Sequence, residues 1–302
     1  MAENIIINDV GPRDGLQNQA RILTPAQRIQ LINSLIAAGM RNIEVGAFVS
    51  PKAVPAMAGT DEVVAGLPRG DYEFSTLIPN RRGYDMAAAC GVGTVGLVVA
   101  SSETMNQKNI NMSTAQAVDV SRGVLDQSRV DGIRTQVYLA TAWECPFEGA
   151  IATDQVVKLA VQLFEAGANE VVLADTIGAA SPAEVKHLLK ALGAAVDLRA
   201  VSCHFHDTRG MGVANVFAAV ESGIRKFDAS IGGLGGCPFA PGATGNVATE
   251  DVAVMLRQMG FETGLDLRGL VAAADLASEL TGNCDGGHSI RWIKRQIEMD
   301  RI

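Results

Sequence analysis

The chain has 302 residues, 48% of them hydrophobic and 19% charged, with a formal net charge of −8 at pH 7. That composition, without an apolar run of membrane-spanning length, excludes a disordered chain and suggests no membrane role. The acidic balance, with a pI of about 5.1, leaves no basic stripe to replace phosphate counterions, so nucleic acid is not an expected partner. Five cysteines (Cys90, Cys145, Cys203, Cys237 and Cys284), odd in number and irregularly spaced, fit reduced thiols in a cytoplasm. Apolar residues begin by Ile5, leaving no room for an Arg-rich presequence, and no organellar import is expected.

Eight β-like runs follow one another, each trailed by a helical pattern: Ile5–Val10, Asn42–Val49, Glu73–Ile78, Thr94–Ala100, Arg134–Ala140, Glu170–Ala174, Ala200–Phe205 and Lys226–Ile231. Strand and helix alternating at this spacing mean parallel strands joined by helical crossovers, and eight units predict a closed (β/α)8 TIM barrel of the α/β class. An open doubly wound sheet is the alternative, but Gly11-Pro12-Arg13-Asp14-Gly15 is not its glycine-rich dinucleotide turn. Thr24-Pro25-Ala26-Gln27 and Ser181-Pro182-Ala183-Glu184 each combine a hydroxyl cap, proline at the first helical position and a reciprocal Gln or Glu, and so start crossover helices. The expected organisation is one barrel domain over 1–302, with 263–302 as a helical extension too short to build its own core.

Such a barrel brings the C-terminal ends of its strands to one rim, where residues distant in sequence meet. The first strand end offers Arg13, Asp14 and Gln17; the second Glu44; the sixth Asp175 and Thr176; the seventh His204, His206 and Asp207. The eighth leads into Gly232-Gly233-Leu234-Gly235-Gly236-Cys237-Pro238 and on to Gly245-Asn246. His204 and His206, two apart on a strand, point the same way and can reach one ion. Two imidazoles, a carboxylate and an amide oxygen suit a divalent cation of the Mg²⁺ or Mn²⁺ type; zinc is the softer alternative, and no cysteine-rich zinc spacing is present. An ion of this kind beside an arginine fits the making and breaking of carbon–carbon bonds next to a carbonyl, with Arg13 holding developing enolate charge. Cys237, after four glycines in six residues, sits where a loop can bring a thiol to a substrate proton. The other four cysteines read as packing residues, and His187 as a surface residue.

These motifs, together with Leu16-Gln17-Asn18, Ser50-Pro51-Lys52, Asp175-Thr176-Ile177-Gly178 and Asp207-Thr208, resemble those of the 3-hydroxy-3-methylglutaryl-CoA lyase family, over about residues 5–262. The family belongs to a wider pyruvate-carboxylase-like group of metal-dependent aldolase and lyase barrels. The resemblance implies a divalent ion held by Asp14, His204, His206 and Asn246, with Arg13 on the thioester enolate. It also implies that Glu44 and Asp175 support metal or substrate, that Cys237 is a catalytic thiol, and that an acyl-CoA is the small-molecule partner. Two departures bear on the acyl pocket: Ala53 stands where relatives such as the animal enzyme carry tryptophan, and Arg209 where many carry tyrosine. Arg209 is thereby a candidate substrate contact beside Arg13 and Gln17. Lys52, Arg81, Arg82 and Lys108 are candidates for the CoA phosphates. Cleavage of 3-hydroxy-3-methylglutaryl-CoA to acetyl-CoA and acetoacetate is the expected activity. A related hydroxyacyl-CoA lyase such as citramalyl-CoA lyase is the rival, and a 2-oxo-acid aldolase, a condensing synthase or an inactive binding barrel stands further off. The oligomeric state is open, a homo-oligomer included.

Overall fold

The computed structural model describes residues 3–236, 245–284 and 286–302. Eight parallel strands close into a barrel: β1 (Ile6–Asp9), β2 (Asn42–Ala47), β3 (Glu73–Leu77), β4 (Thr94–Ala100), β5 (Arg134–Ala140), β6 (Glu170–Asp175), β7 (Val201–Phe205) and β8 (Lys226–Ala229). Each pairs with its neighbour in sequence, and β1 closes on β8 with Ile6 opposite Lys226 and Asp9 opposite Ala229. The chain thus forms the (β/α)8 barrel that its alternation predicts. Five of the strands are one or two residues shorter at an end than the β-like runs, and β6 is one residue longer. Val10, for example, gives its N–H to Ala229 O at 2.8 Å but leads directly into a turn.

Eleven α-helices are described: α1 (Pro25–Ala37), α2 (Thr60–Ala65), α3 (Arg81–Ala89), α4 (Glu103–Ile110), α5 (Thr114–Asp131), α6 (Thr153–Glu165), α7 (Pro182–Gly193), α8 (Gly212–Glu221), α9 (Thr249–Gln258), α10 (Leu267–Thr281) and α11 (Ile290–Glu298). Both expected capping boxes form: Thr24 Oγ1 accepts the Gln27 N–H and Ser181 Oγ the Glu184 N–H, while each Gln or Glu side chain accepts the cap residue's own N–H. The helices turn Leu31, Ile32 and Leu35 (α1), Val156, Ala160 and Leu163 (α6) and Leu188, Leu189 and Leu192 (α7) onto the strands, in the 3.6-residue rhythm of an amphipathic helix.

Helix α10 packs across α1, α9 and the 231–233 turn. Gly269 allows the closest approach: a Cβ there would stand 2.7 Å from Ala38 Cα. After α10 the chain returns to the rim side. Gly287 N–H reaches Glu250 Oε1 at 2.6 Å, and the His288 and Ser289 N–H groups reach the two oxygens of Asp251 at 2.8 and 2.6 Å, tying this segment to the start of α9. Cys145, Cys203 and Cys284 are buried packing residues, Cys90 is partly buried and His187 is exposed. No described helix is long and apolar enough to cross a membrane.

Candidate active site

Between β1 and α1 the chain makes a single wide turn, Gly11–Gly15, with π-helical geometry. Its ends must be glycine. A Cβ at Gly11 would stand 2.8 Å from Asp9 Oδ1, and one at Gly15 2.8 Å from Leu234 Cβ. Pressed in this way against the segment after β8, the turn sets Arg13 and Asp14 side by side at the barrel mouth. Arg13 is buried, its Nε 2.7 Å from Glu44 Oε2 and its Nη1 2.7 Å from Asp14 Oδ1. Two carboxylates therefore orient one guanidinium, and they hold its pKa above the ordinary value although burial acts the other way. Glu44 sits at a bulge in the β2–β3 pairing. Burial pushes its carboxyl up to about 7 against the pull of Arg13.

His204 lies near the end of β7 and His206 one residue beyond its last. Both are buried, with ring centroids 5.2 Å apart. Oxygen of Asp14 and ring nitrogens of the two histidines lie within 4.8 Å of one another, the only such cluster of three or more His, Cys, Asp or Glu among the described residues. Burial acts to raise the Asp14 pKa, but Arg13, the two imidazoles and the Asn246 amide outweigh it and hold Asp14 down at about 2, so it is an anion. His204 turns Nδ1 to Asp228 Oδ2 at 3.1 Å. Burial alone would depress its pKa, and Asp228 raises it instead. Asp228 is itself held by Asn8 Nδ2 at 2.8 Å.

Asn246 arrives on a short extended stretch laid against two strand ends: Val247 N–H donates to Phe205 O at 2.9 Å and Ser230 N–H to Val247 O at 3.0 Å. Its Nδ2 donates to Asp14 Oδ2 at 2.8 Å and to Leu234 O at 3.1 Å, while its buried Oδ1 has no hydrogen-bond partner. An acceptor left bare in the interior costs about 1–3 kcal/mol, and a cation beside Asp14 would relieve it. Two ring nitrogens and a carboxylate oxygen at one point, with the Asn246 amide bonded to that carboxylate, fit a hard or borderline divalent ion.

A cavity of about 150 Å³ opens beside this cluster. Arg13, Asp14, Gln17, His204 and His206 line it, so these five of the ten site residues expected from the sequence converge on it, with Glu44 behind Arg13 and Asn246 behind Asp14. Others do not. The Arg209 guanidinium is turned onto the β6–α7 loop, donating to the carbonyl oxygens of Gly178, Ala179 and Ala180, and it does not line the cavity. Asp175 is buried next to the lining residues Ala174 and Thr176, but its two oxygens accept the N–H groups of Ala179 and Ala180 at 2.8 and 3.0 Å, and burial holds its carboxyl at about 6. Lys52 and Ala53 are exposed, Arg81 pairs with Asp85, and Lys108 lies 4.9 Å over the Phe147 ring; with Arg82, all lie outside the cavity lining. Cys237 and Pro238 lie outside the described residues.

Some lining residues carry no motif. Tyr138, on β5, presents a buried hydroxyl without a hydrogen-bond partner and meets the His204 ring edge-on at 6.1 Å. A lone phenol in the apolar strand run Val137–Ala140 was the available signal for it. Met105 and Asn109, on α4, had none.

The profile of the HMGL-like family matches residues 4–277. A hydroxymethylglutaryl-CoA lyase of Pseudomonas mevalonii is 45% identical over 260 residues, covering 86% of both chains. An (R)-citramalyl-CoA lyase of Chloroflexus aurantiacus is 43% identical over 292 residues, covering 93% of this chain and 92% of the relative. Among solved structures, the hydroxymethylglutaryl-CoA lyase of Pseudomonas aeruginosa superposes with a TM-score of 0.94 at 38% identity, covering 98% and 99% of the two chains.

Proposed function

Because the chain belongs to the HMGL-like family, we propose that it is a divalent-metal-dependent carbon–carbon lyase that cleaves 3-hydroxy-3-methylglutaryl-CoA to acetyl-CoA and acetoacetate. The observation that carries this reading is the convergence of Asp14, His204 and His206 beside Arg13 in one cavity, with Asn246 bonded to Asp14 through Nδ2 and its own Oδ1 bare. On this reading residues 1–302 are one barrel unit with 263–302 as its helical extension.

Asp14, His204, His206 and Asn246 would hold Mg²⁺ or Mn²⁺. When bound, such an ion lowers the pKa of the substrate's tertiary hydroxyl and polarises the neighbouring carbonyl. Loss of the hydroxyl proton lets the electron pair of the C2–C3 bond move to C2. Acetoacetate separates, and the enolate of the acetyl thioester remains. One proton gained at C2 completes acetyl-CoA; the proton lost at oxygen passes to water, from which the donor at C2 is reprotonated, so the two balance. Arg13, fixed by Glu44 and Asp14, faces the enolate oxygen with its charge already oriented, which is how a preorganised donor lowers a barrier. Cys237 supplies the proton at C2. Asp228 keeps the His204 ring in place, and Asp175 shapes the loop beside the site through the Ala179 and Ala180 amides. Gln17 lines the cavity and would meet the thioester arm. Among rim cations, Lys52 is exposed and makes the simplest contact for the CoA phosphates.

The 43% identity to a citramalyl-CoA lyase favours one second reading, the same bond cleavage with pyruvate as the product. The two separate on product identity. Purified protein given both thioesters at equal concentration should release acetoacetate in preference to pyruvate. Pyruvate without acetoacetate would transfer the assignment to the second reading, and neither product would remove both.

A further inference from the structure

The cavity has two unlike sides. In the closed strand order β3, β4 and β5 stand across the barrel from β7, β8 and β1. Arg13, Asp14, His204 and His206 therefore face Leu77, Val98 and Ala140 from the opposite arc, and Met105 of α4 completes an apolar wall there, beside which Tyr138 of β5 and Asn109 of α4 are the polar members of that side. Met105 is 2% exposed and packs with Ala100, Ala140 and Cys145 in a small apolar cluster separate from the main core.

Helix α4 is held firmly. Asn106 Nδ2 donates to Ala100 O at 2.8 Å and to Thr114 Oγ1 at 2.8 Å, while its Oδ1 accepts the Ala100 N–H at 2.8 Å. The Thr104 N–H adds a bond to Glu148 Oε1 at 2.6 Å. The apolar wall is thus preformed, and its adjustable member is an unbranched thioether side chain.

Carbon 3 of the proposed substrate bears a hydroxyl, a carboxymethyl group, the thioester arm and one alkyl group. The first three carry oxygen and would be left unpaired against Leu77, Val98 and Met105, at a cost the fourth does not incur. The alkyl group therefore faces the wall. The room is small: an engineered cavity of about 150 Å³ is filled by a benzene molecule. We propose that Met105 is a specificity-determining residue that limits the length of the alkyl substituent at C3 of the acyl group. The assignment rests on the lyase reading above for the identity of the substrate.

The test uses wild type, Met105→Ala, Met105→Leu and Met105→Phe with 3-hydroxy-3-methyl-, 3-ethyl- and 3-propylglutaryl-CoA, reading kcat and KM separately. Binding of the hydroxyl-free 3-alkylglutaryl-CoA series, which cannot be cleaved, is measured in parallel. Wild type should prefer methyl. Met105→Ala should move the propyl-to-methyl ratio of kcat/KM, and of affinity, at least about 10-fold toward propyl, the scale of one methylene in an apolar pocket. Met105→Phe should move both the other way, and the volume-conserving Met105→Leu should stay near wild type. Ratios unchanged in both the Ala and Phe variants would overturn the assignment. Absence of cleavage by wild type, with the affinity ratios still shifting, would remove the lyase reading and leave the wall. Should Met105→Ala fail to fold, the Phe variant decides alone.

Discussion

His204 and Asp228 form a buried pair on adjacent strands, Nδ1 to Oδ2 at 3.1 Å, which holds the imidazole beside Asp14 and His206. Partners of this kind orient a metal-binding histidine and raise its basicity. Asp228→Asn should keep the fold and weaken divalent-ion affinity by about 10–100-fold. Manganese titration followed by electron paramagnetic resonance checks this, and an unchanged affinity would mean that ring orientation does not depend on Asp228.

Asn246 makes a complementary prediction. Its Oδ1 has no partner within the protein, so Asn246→Ala removes nothing from that atom's own protein contacts, and the loss falls on ion binding and on the Nδ2 bonds to Asp14 and Leu234. Ion affinity should fall. The increase in melting temperature that saturating Mn²⁺ gives the wild type should shrink in the variant, because stabilisation by a ligand follows its affinity.

Arg13→Gln removes the charge that Glu44 and Asp14 hold in place. By analogy with the loss of an oxyanion donor it should cost about 2.7–4 kcal/mol of transition-state stabilisation, seen as a fall in kcat. A change confined to KM would show that Arg13 binds substrate and transition state equally. Cys237→Ala should lower kcat by about 10²–10⁴-fold with ion affinity near normal, the scale of one positioned acid or base.

Asp9 links stability to pH. Burial pushes its carboxyl up to about 7, against the bonds from Thr249 Oγ1 at 2.7 Å and the Gly11 N–H at 2.8 Å. A carboxyl raised in the folded state is protonated there while the unfolded chain has already ionised. Its stabilising contribution is therefore complete below about pH 4 and is lost as pH rises toward and through 7, a difference on the order of a few kcal/mol. Asp9→Asn, which can give an N–H to Thr249 and accept from Gly11, should flatten this dependence and be more stable than wild type at pH 8. Urea denaturation midpoints at pH 5 and pH 8 for both proteins check the sign.

The parts of the site that were legible in the sequence are those where chemistry and spacing coincide. His204 and His206 two apart on a strand, and Arg13-Asp14 at a strand end, lead to the same rim that the structure shows. Arg209 was not legible, because its charge said nothing of the three loop carbonyls within its reach, and these hold its guanidinium away from the cavity. Asp175 shows the same limit: an acid at a strand end reads as chemistry, whereas its two oxygens organise the following loop. Met105 and Tyr138 were missed because an apolar or aromatic residue lining a cavity has the same pattern as one in the core. Only the closure of β3, β4 and β5 across from β7, β8 and β1 distinguishes them. The π geometry of the turn Gly11–Gly15 was not legible either, since Gly15 packs against Leu234, a residue more than two hundred positions away.

On the lyase reading, one divalent ion, held by Asp14, His204, His206 and Asn246, is required for acetoacetate release from 3-hydroxy-3-methylglutaryl-CoA. The most direct measurement strips the protein with a chelator, then titrates Mn²⁺ back while following bound ion and acetoacetate on the same sample, for wild type and His206→Ala. No release at the start, one ion bound per chain, release rising in step with occupancy, and both curves moved to higher Mn²⁺ in the variant are expected. Full acetoacetate release by the stripped protein, or a variant whose ion binding matches wild type, would contradict that requirement.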